Sequence, residues 1–532
     1  MANIIYKDIA PGAKEAADPS MQDIQDFCDP NDLKNTITVP KIATLEMDYW
    51  KLDGTFGVMP EDREGAWGIW SNSLSGEDGS FATPPELTLS FGELHTSVGI
   101  TLYFDPYGPD WCNDLNIKWY RGASLLSSKD YMPDAVRYTC LNEVKNYNKL
   151  VITFRSTSKP YHYLKLSDIL YGYVRAFDSG ELRSVHLYQA ASVLSEEVEI
   201  NSLDLVVSSK DPIPFVFQHK QPLEVYQDDV LQGVFYIKNS KRQGEKLYYI
   251  EADDTVGLLA DSTHLGGIYQ SVTASTVIAD ILDGYAYDLN VSLGAVTVTG
   301  WLPIASRRDN LAQVAFAIGA VVDTSGSDKI RIYPAKTAIS DTLEQSRVFS
   351  GSNIDTDAVV TRVEVTEHAY STGSDTKDLY QNYLNGSATV TFSEPMHSLT
   401  ITGGTIESSG ANYAVITASG ATVTLKGSVY RHTTRIRAQN NTDASALDKE
   451  NVIQVADATL VSSGNSADVA QRVFNRYMRR DKVNAKLLLG DIIPGDVISI
   501  STEFDGIKTG TVQSLDINLS RKRIGEAVIL CQ

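Results

Sequence analysis

Cysteine and basic residues are scarce in this 532-residue sequence. Its four cysteines, Cys28, Cys112, Cys140 and Cys531, are scattered without a CxxC pair, so neither a disulfide framework nor a zinc cluster is predicted. Cys112 and Cys140 could pair, but two core thiols are the simpler expectation. Forty-six Lys and Arg against 67 Asp and Glu leave a net charge of −21, which repels phosphate backbones and anionic bilayers. Stable nucleic-acid binding is therefore not expected.

Targeting signals are also missing. The N-terminus "MANIIYKDIAPGAKEAADPS" has no basic start followed by an apolar run, and no stretch reaches the roughly 18 apolar residues of a membrane span. We therefore expect a chain that is made in the cytoplasm without a signal peptide. Action outside a cell would require lysis or incorporation into a larger particle.

Catalytic signatures are a third absence. The sequence has no nucleophile elbow, Walker loop or paired-His zinc motif, and its eight histidines are dispersed. No catalytic residue, cofactor or metal site is predicted, and the chain is not expected to be an enzyme. The acidic loop "DPYGPDWCND" could place Asp105, Asp110 and Asp114 around Ca²⁺, although a solvated turn is the simpler interpretation.

What the sequence does have is β-pattern. Between about residues 45 and 165, segments such as "ELTLSFGELHTSVGITLYFDP" and "NKLVITFRSTS" alternate apolar and polar residues between turns, which predicts a jelly-roll-like β-sandwich. Three tryptophans in or beside it, Trp67, Trp70 and Trp111, could stack on sugar rings. The competing interpretation places them in the core of the sandwich.

Two later stretches predict β-meanders that resemble each other. In "KQPLEVYQDDVLQGVFYIKNSKRQGEKLYYIEADD", residues 220–254, three short apolar runs are separated by turns. In residues 487–531, Pro494, Asp496 and Val497 stand where Pro222, Glu224 and Val225 stood, and each motif is followed by an acidic turn and a strand led by a glycine. An internal repeat is one interpretation; the other is that any two meanders look alike.

Helices are predicted only between and after these strands. "TASTVIADILDGY" places Val277, Ile278, Ile281 and Leu282 on one helical face, and "SADVAQRVFNRYMRR" has apolar residues at helical spacing. We therefore expect a mainly β, multi-domain protein with minor α content, its length giving three to five domains. The predicted segments are an N-terminal arm (1–44), the sandwich (45–165), a first β-barrel (166–262), an α+β domain (263–345) and a second β-barrel (346–532) with a β-rich insertion near 374–430.

This order, with "QPLEVYQDDVLQGVFYI", "DDTVGLL", "GGIY", "ADVAQRVFNRYMRR" and "IIPGDVISIS…GTVQSLDINL", resembles the tail or baseplate hub proteins of tailed bacteriophages and prophages of Gram-positive bacteria. In that family two barrels per chain assemble as a trimer into a six-barrel ring, which joins the six-fold tail tube to the three-fold tip. The resemblance implies a structural virion protein, with the sandwich as an insertion.

The resemblance also implies partners: two further copies of the chain, tail tube and distal tail proteins, the tape measure protein, tail spike or tip proteins and, if the sandwich is an adhesin, host cell-wall glycan. Two other functions stay open, a glycan-binding adhesion protein and a hub-linked wall hydrolase, although the chain ends with the second barrel.

A lumen through which DNA passes should repel phosphate, so we expect its wall to be acidic. The residues from which that charge would be drawn lie at the turns of both meanders: Glu224, Asp228, Asp229, Glu251, Asp253, Asp254, Asp491, Asp496, Glu503 and Asp505.

Overall fold

The computed structural model describes residues 2–10, 12–24, 41–58, 68–105, 107–210, 213, 217–445, 449–503, 505–519 and 523–531. Strands dominate these residues and helices are few, which confirms the mainly β, multi-domain class with minor α content. The chain divides into two compact units, residues 5–176 and residues 1–4 with 177–532. Within the described ranges, no helix is long and apolar enough to cross a membrane.

Unit 5–176 is built from strands and one short helix. In chain order these are β1 (Ala2–Ile9), α1 (Ala13–Ala16), β2 (Asp18–Gln22), β3 (Ile69–Trp70), β4 (Glu86–Phe104), β5 (Cys112–Arg121), β6 (Ser124–Tyr131), β7 (Arg137–Thr157), β8 (Lys165–Leu170) and β9 (Gly172–Phe177).

Seven of these strands form one sheet in the order β3-β8-β4-β7-β5-β6, with β2 added to β4. The two long strands β4 and β7 run side by side through this hydrogen-bonded sheet. Their register shifts between Ser90 and Gly99, and such irregularities bend a sheet. One apolar core, which includes Trp119, Phe154 and Leu166, packs against it.

The N-terminal boundary differs from the prediction. Residues 1–44 were expected to be an arm, but Ala2–Ile9 is a strand that buries every second side chain, and Asp18–Gln22 pairs with β4. The alternation in "ANIIYKDI" was too short to stand out from the polar sequence around it. At the other boundary, β8 belongs to the sheet of this unit, so the unit extends beyond residue 165 to residue 176.

The second unit contains the remaining elements. Its first strands are β10 (Leu182–Ala190), β11 (Ser202–Ser208), β12 (Pro222–Gln227), β13 (Val230–Arg242) and β14 (Leu247–Asp253). A mixed section follows: α2 (Thr255–Ala260), β15 (Thr263–His264), β16 (Gly267–Thr273), α3 (Ala274–Ile281), β17 (Tyr287–Leu289), α4 (Val291–Gly294), β18 (Thr297–Leu302), β19 (Ala305–Ser306), α5 (Arg307–Ile318), β20 (Ala320–Asp323) and β21 (Ile330–Pro334).

The chain then returns to strands. These are β22 (Ile339–Leu343), a 3₁₀ turn (Gln345–Arg347), β23 (Asn353–Thr356), β24 (Arg362–Thr391), β25 (Met396–Thr402), β26 (Thr405–Ser409), β27 (Tyr413–Asn440), β28 (Val452–Val455), α6 (Ser466–Met478), β29 (Asp481–Leu488), β30 (Val497–Thr502), β31 (Gly506–Asn518) and β32 (Ile524–Cys531).

The two predicted meanders are parts of one large sheet. Its order runs β23-β29-β32-β31-β10-β11-β14-β13-β12, with β30 on β31 and β22 parallel to β30. The first four-strand unit pairs β12-β13-β14-β11, and the second pairs β30-β31-β32-β29. The two four-strand units therefore have the same strand order, and β13 and β31 are each 13 residues long. Antiparallel pairing of β10 with β31 joins them.

Between them lies the mixed section, whose helices form as the apolar spacing predicts. Val277, Ile278, Ile281 and Leu282 are all buried in one cluster. Helix α5 begins at Ser306, whose hydroxyl oxygen accepts a hydrogen bond from the Asp309 amide at 3.0 Å.

The β-rich insertion is an antiparallel ribbon of β24 and β27, 30 and 28 residues long. Its outer part carries β25 and β26 and a small core of its own that includes Phe392 and Met396. At its base, Val363 and Val365 pack with helix α6.

Candidate functional site

Of the three candidate sugar-stacking tryptophans, the two that the structure describes, Trp70 and Trp111, do not form an exposed aromatic platform. Trp70 is fully buried in β3, so neither face of its ring is available to a sugar, and the core interpretation holds for this residue. Trp111 is half-buried and packs against the core of the unit. Trp67 lies outside the described residues.

The acidic loop is neither a solvated turn nor a ring of aspartates. Asp105 and Asp110 are buried, with 1 and 5 % of their surface exposed. Asp114 lies apart from them and forms an ion pair with Arg155 at 3.1 Å. The solvated turn that the sequence favoured is therefore not what Asp105 and Asp110 form, and Asp114, paired with Arg155, does not join them in the alternative Ca²⁺ grouping.

Asp105 and Asp110 instead belong to a buried charge cluster, which we define as Glu46, Asp105, Asp110, His162 and Lys165, each at most 5 % exposed. The Lys165 ammonium donates to Glu46 Oε2 at 2.5 Å and to Asp105 Oδ2 at 3.2 Å. It also lies 3.4 Å from the centre of the Tyr49 ring. Three parts of the chain meet here: the segment 41–58, the loop after β4 and the start of β8.

His162 lies on the other side of Glu46. Its Nε2 faces the Met47 carbonyl oxygen at 2.6 Å, and its Nδ1 lies 3.0 Å from Asp110 Oδ2 and 3.8 Å from Glu46 Oε1. Burial lowers the pKa of His162, but the contact with Asp110 and the charges of Asp110 and Glu46 outweigh burial and raise it. Glu46, Asp110 and His162 offer donor atoms that all lie within 4.8 Å of one another, close enough to hold a metal ion.

Sequence reasoning missed this cluster because its members are separated by up to 119 residues. The available signal was weak: two aspartates and a tryptophan in one loop of a β-rich segment. Only the fold shows that a His and a Lys from the start of β8 meet them.

Two other histidines come together at the base of the ribbon. The rings of His368 and His432 are stacked with centroids 5.2 Å apart, and Tyr370 stacks on His432 at 4.5 Å. Burial lowers the pKa of His368. Because His368 Nδ1 faces His432 Nε2 at 3.0 Å, one ring donates and the other accepts, which requires at least one neutral imidazole.

The ten acidic residues expected at the turns of the meanders divide by exposure. Six are exposed: Asp228, Asp229, Glu251, Asp491, Glu503 and Asp505. Glu224 and Asp253 are half-buried, and Asp253 pairs with Lys238 at 2.9 Å. Asp254 and Asp496 are buried, so they are not available to a lumen wall.

The two buried members have structural roles instead. Asp496 accepts from Lys336 Nζ at 2.6 Å and from the Ile493 amide at 3.0 Å. Asp254 caps helix α2 and accepts four hydrogen bonds, and burial raises its pKa to about 7. Turn position alone did not distinguish these caps from exposed carboxylates.

Corresponding hairpins of the two four-strand units in the large sheet present similar surfaces. The turn between β12 and β13 carries Asp228 and Asp229, both with positive φ, followed by Val230, which is 57 % exposed. The turn between β30 and β31 carries Glu503 and Asp505, followed by Ile507, which is 74 % exposed. Each hairpin thus combines two acidic residues with one exposed β-branched side chain.

Comparison with known proteins gives matches only at the level of structure: no family model and no curated protein matches the chain. Three solved neighbours, each 10 % identical, are a tail protein from Neisseria meningitidis MC58 (TM-score 0.43; 66 % of this chain, 92 % of that one), the 43 kDa tail protein of prophage MuSo2 from Shewanella oneidensis (0.42; 67 % and 95 %), and prophage tail protein gp18 from Listeria monocytogenes EGD-e (0.41; 67 % and 90 %). These neighbours agree with the predicted resemblance to phage tail proteins. The likeness concerns the fold alone.

Proposed function

We propose that this chain is a structural component of a phage-type tail and that three copies form its hub ring. The observation that carries the proposal is the internal repeat: two four-strand units with the same strand order, joined edge to edge through β10 and β31. A chain with two similar halves lets a three-fold assembly present six similar units.

Six units in a three-fold assembly suit a protein that joins a six-fold part of a tail to a three-fold part. Soluble homo-oligomers usually have closed symmetry. A closed trimer with two four-strand units per chain would match a six-fold tube on one face while keeping three-fold symmetry on the other. The hub family that the sequence resembles is built in this way. Nothing in this role requires a catalytic group.

The two corresponding hairpins are the proposed contacts with the adjoining tube ring. Val230 and Ile507 are exposed apolar side chains at equivalent places in the repeat, and a monomer gains nothing from exposing them there. Six such hairpins in a trimer would meet six equivalent subunits of a tube. The acidic side chains beside them would pair with basic residues of that partner or line the lumen.

Fewer acidic residues are available to line the proposed lumen than the sequence suggested. Only the exposed acidic residues remain candidates for a wall that repels DNA, with the half-buried Glu224 as a further contributor. The calculated potential along the three-fold axis of an assembled particle tests this directly. A clearly positive lumen would contradict it.

The decisive test of the ring is mass. Light scattering or mass photometry of the purified chain, or a cryo-EM map of its particle, should give three copies of the 58.3 kDa chain. A map with six copies or one copy in the ring would refute the proposal.

The hairpin contacts have a separate test. Val230→Asp with Ile507→Asp should leave the trimer intact but reduce tube attachment in cells that produce the complete tail. Val291→Asp is the matched control, because Val291 is 87 % exposed but lies in α4, outside the repeat. Equal tail yields from both variants would exclude these hairpins as the tube contact.

A further inference from the structure

The buried charge cluster has a feature that a purely structural ion-pair network does not explain. Two of its polar atoms, His162 Nδ1 and Asp110 Oδ2, are buried without a hydrogen-bond partner. They lie 3.0 Å apart, yet the pair is not aligned as a hydrogen bond. Buried polar atoms are nearly always satisfied, so these two point to a partner that binds both of them.

The other ring nitrogen of His162 is already engaged. A carbonyl oxygen can only accept, so Nε2 donates to the Met47 carbonyl at 2.6 Å. Nδ1 is therefore the ring nitrogen left for a further partner, and it faces Asp110 Oδ2 at 3.0 Å and Glu46 Oε1 at 3.8 Å.

We infer that a divalent transition-metal ion, Zn²⁺ by its ligand set, binds between His162 Nδ1, Asp110 Oδ2 and Glu46 Oε1. The inference goes beyond the proposed tail function and does not depend on it. One imidazole nitrogen and two carboxylate oxygens are ligands that Zn²⁺ accepts, whereas Ca²⁺ takes six to eight oxygens.

The distances fit such an ion. Zinc bonds of about 2.0–2.2 Å at tetrahedral angles separate neighbouring ligand atoms by roughly 3.4 Å. The two measured separations from His162 Nδ1, 3.0 Å and 3.8 Å, lie on either side of that value.

The other oxygens of the two carboxylates are engaged, which orients the proposed ligand oxygens; of these, Asp110 Oδ2 has no hydrogen-bond partner and Glu46 Oε1 accepts from the Tyr163 amide at 3.0 Å. Asp110 Oδ1 accepts from the Trp111 amide at 2.9 Å and from the Ser158 hydroxyl. Glu46 Oε2 accepts from Lys165 Nζ and from the Thr44 hydroxyl, each at 2.5 Å. Such outer contacts are what fixes ligand geometry in metal sites.

Charge balance supports the same conclusion. With a neutral His162, the cluster holds three buried carboxylates and one buried ammonium, a net charge of −2. A proton on His162 would leave −1, whereas a divalent ion brings the sum to zero. Uncompensated buried charge costs several kcal/mol, so the cluster with a bound divalent ion, whose charges sum to zero, is favoured.

Burial of all three ligands also defines the role of the ion. A substrate could not reach it, so the site is structural rather than catalytic. It would fasten the segment 41–58, in which no described residue belongs to a named helix or strand, to the loop after β4 and to the start of β8.

The test uses the full-length chain. After treatment with EDTA and gel filtration, the protein is incubated with a tenfold excess of ZnCl₂ and refiltered, and bound metal is measured by mass spectrometry. We expect one Zn²⁺ per chain, a higher melting temperature than the EDTA-treated protein, and, with Co²⁺ instead, the visible absorption of a tetrahedral N/O site.

Asp110→Asn and His162→Gln should each lower bound zinc at least tenfold and remove its effect on melting. Asp114→Asn is the matched control, because this carboxylate lies in the same loop but pairs with Arg155. Native protein that retains no zinc, or an Asp110→Asn variant that retains as much as the native chain, would overturn the inference and leave His162 as a buried imidazolium. If a variant does not fold, the Co²⁺ spectrum of the native chain decides: no tetrahedral bands means no site.

Discussion

Asp254 fastens helix α2 to two other parts of its unit, and replacing it should cost far more free energy of unfolding than replacing an ordinary surface carboxylate. Its Oδ1 accepts from the amides of Val256 and Gly257 at 3.0 and 3.2 Å. Its Oδ2 accepts from the Asn201 amide at 3.1 Å and from the Thr324 hydroxyl at 2.5 Å. The first meander and the mixed section are therefore linked through one side chain.

The magnitude follows from those contacts. Asp254→Ala removes a helix cap, worth about 1 kcal/mol, and leaves two further buried donors without an acceptor, at about 1–3 kcal/mol each. We expect the free energy of unfolding to fall by about 3–7 kcal/mol. Asp254→Asn keeps one acceptor oxygen and should cost less, on the order of 1–3 kcal/mol, because its amide nitrogen faces the Asn201 amide.

The pH dependence gives a second, independent readout. Burial raises the pKa of Asp254 from 3.8 to about 7. Between these values the folded state holds a proton that the unfolded state has released, so the contribution of this group is greatest below pH 3.8 and is lost as pH rises towards 7. Between pH 5 and 7 the loss is about 3 kcal/mol, at about 1.4 kcal/mol per pH unit.

Urea unfolding of the native chain, Asp254→Asn and Asp254→Ala at pH 5, 6, 7 and 8 measures both effects. The difference between the native chain and Asp254→Asn should shrink as pH rises, since Asn does not titrate. Asp261→Asn is the matched control: this exposed carboxylate ends the same helix and pairs with Lys220 at 3.1 Å, so its change should stay within about 0.5 kcal/mol. A pH-independent difference would show that Asp254 stays ionised, and a native-like Asp254→Ala would refute the reasoning altogether.

Three further predictions concern packing. Gly510→Ala should destabilise the fold by about 1–3 kcal/mol in urea unfolding, because a Cβ there would lie 2.5 Å from the Leu530 carbonyl oxygen; Gly244→Ala, which meets nothing within 4 Å, should be nearly neutral, and equal midpoints would contradict the close approach. Burial raises the pKa of the Cys112 thiol to about 12 and that of Cys531 to about 11, so neither should react with a thiol reagent at pH 8 until urea unfolds the chain; rapid labelling of the folded protein would show that they are exposed. Residues 5–176 expressed alone should unfold in one cooperative transition, whereas a fragment that stops at residue 165 should not, because it lacks β8; similar cooperativity of both would contradict the boundary.

The parts of the fold that could be predicted were those that depend on the local spacing of apolar residues and on turn residues. The meander at 220–254 and its counterpart near the C-terminus are recognisable by alternation and by turn residues such as Asp228 and Asp229, and the structure places them in equivalent four-strand units. The helical face of Val277, Ile278 and Ile281 is equally local. Periodicity carries this information because it reports which side chains share one face.

What could not be predicted was set by distant contacts. The union of the two meanders in one sheet depends on the pairing of β10 with β31, which no local pattern encodes. The charge cluster depends in the same way on Glu46, Asp110 and His162 meeting in space. The sequence left both a sugar-stacking and a core position open for Trp70, because a tryptophan in a sequence does not reveal which side of a strand it occupies; the structure places it in the core.

The pairing of β10 with β31 has a consequence for how the protein is made. His186 pairs with Asn518, so β10 leaves the ribosome roughly 330 residues before its partner. At about 5–20 residues per second, the edge of β10 stays without β31 for on the order of 20–60 seconds during synthesis. An unpaired strand edge is a template for pairing with other chains, and neighbouring ribosomes on one message each present the same edge. The stretch of translation between the two strands is therefore the period in which this chain is most exposed to aggregation, and slowing elongation there should lower its soluble yield.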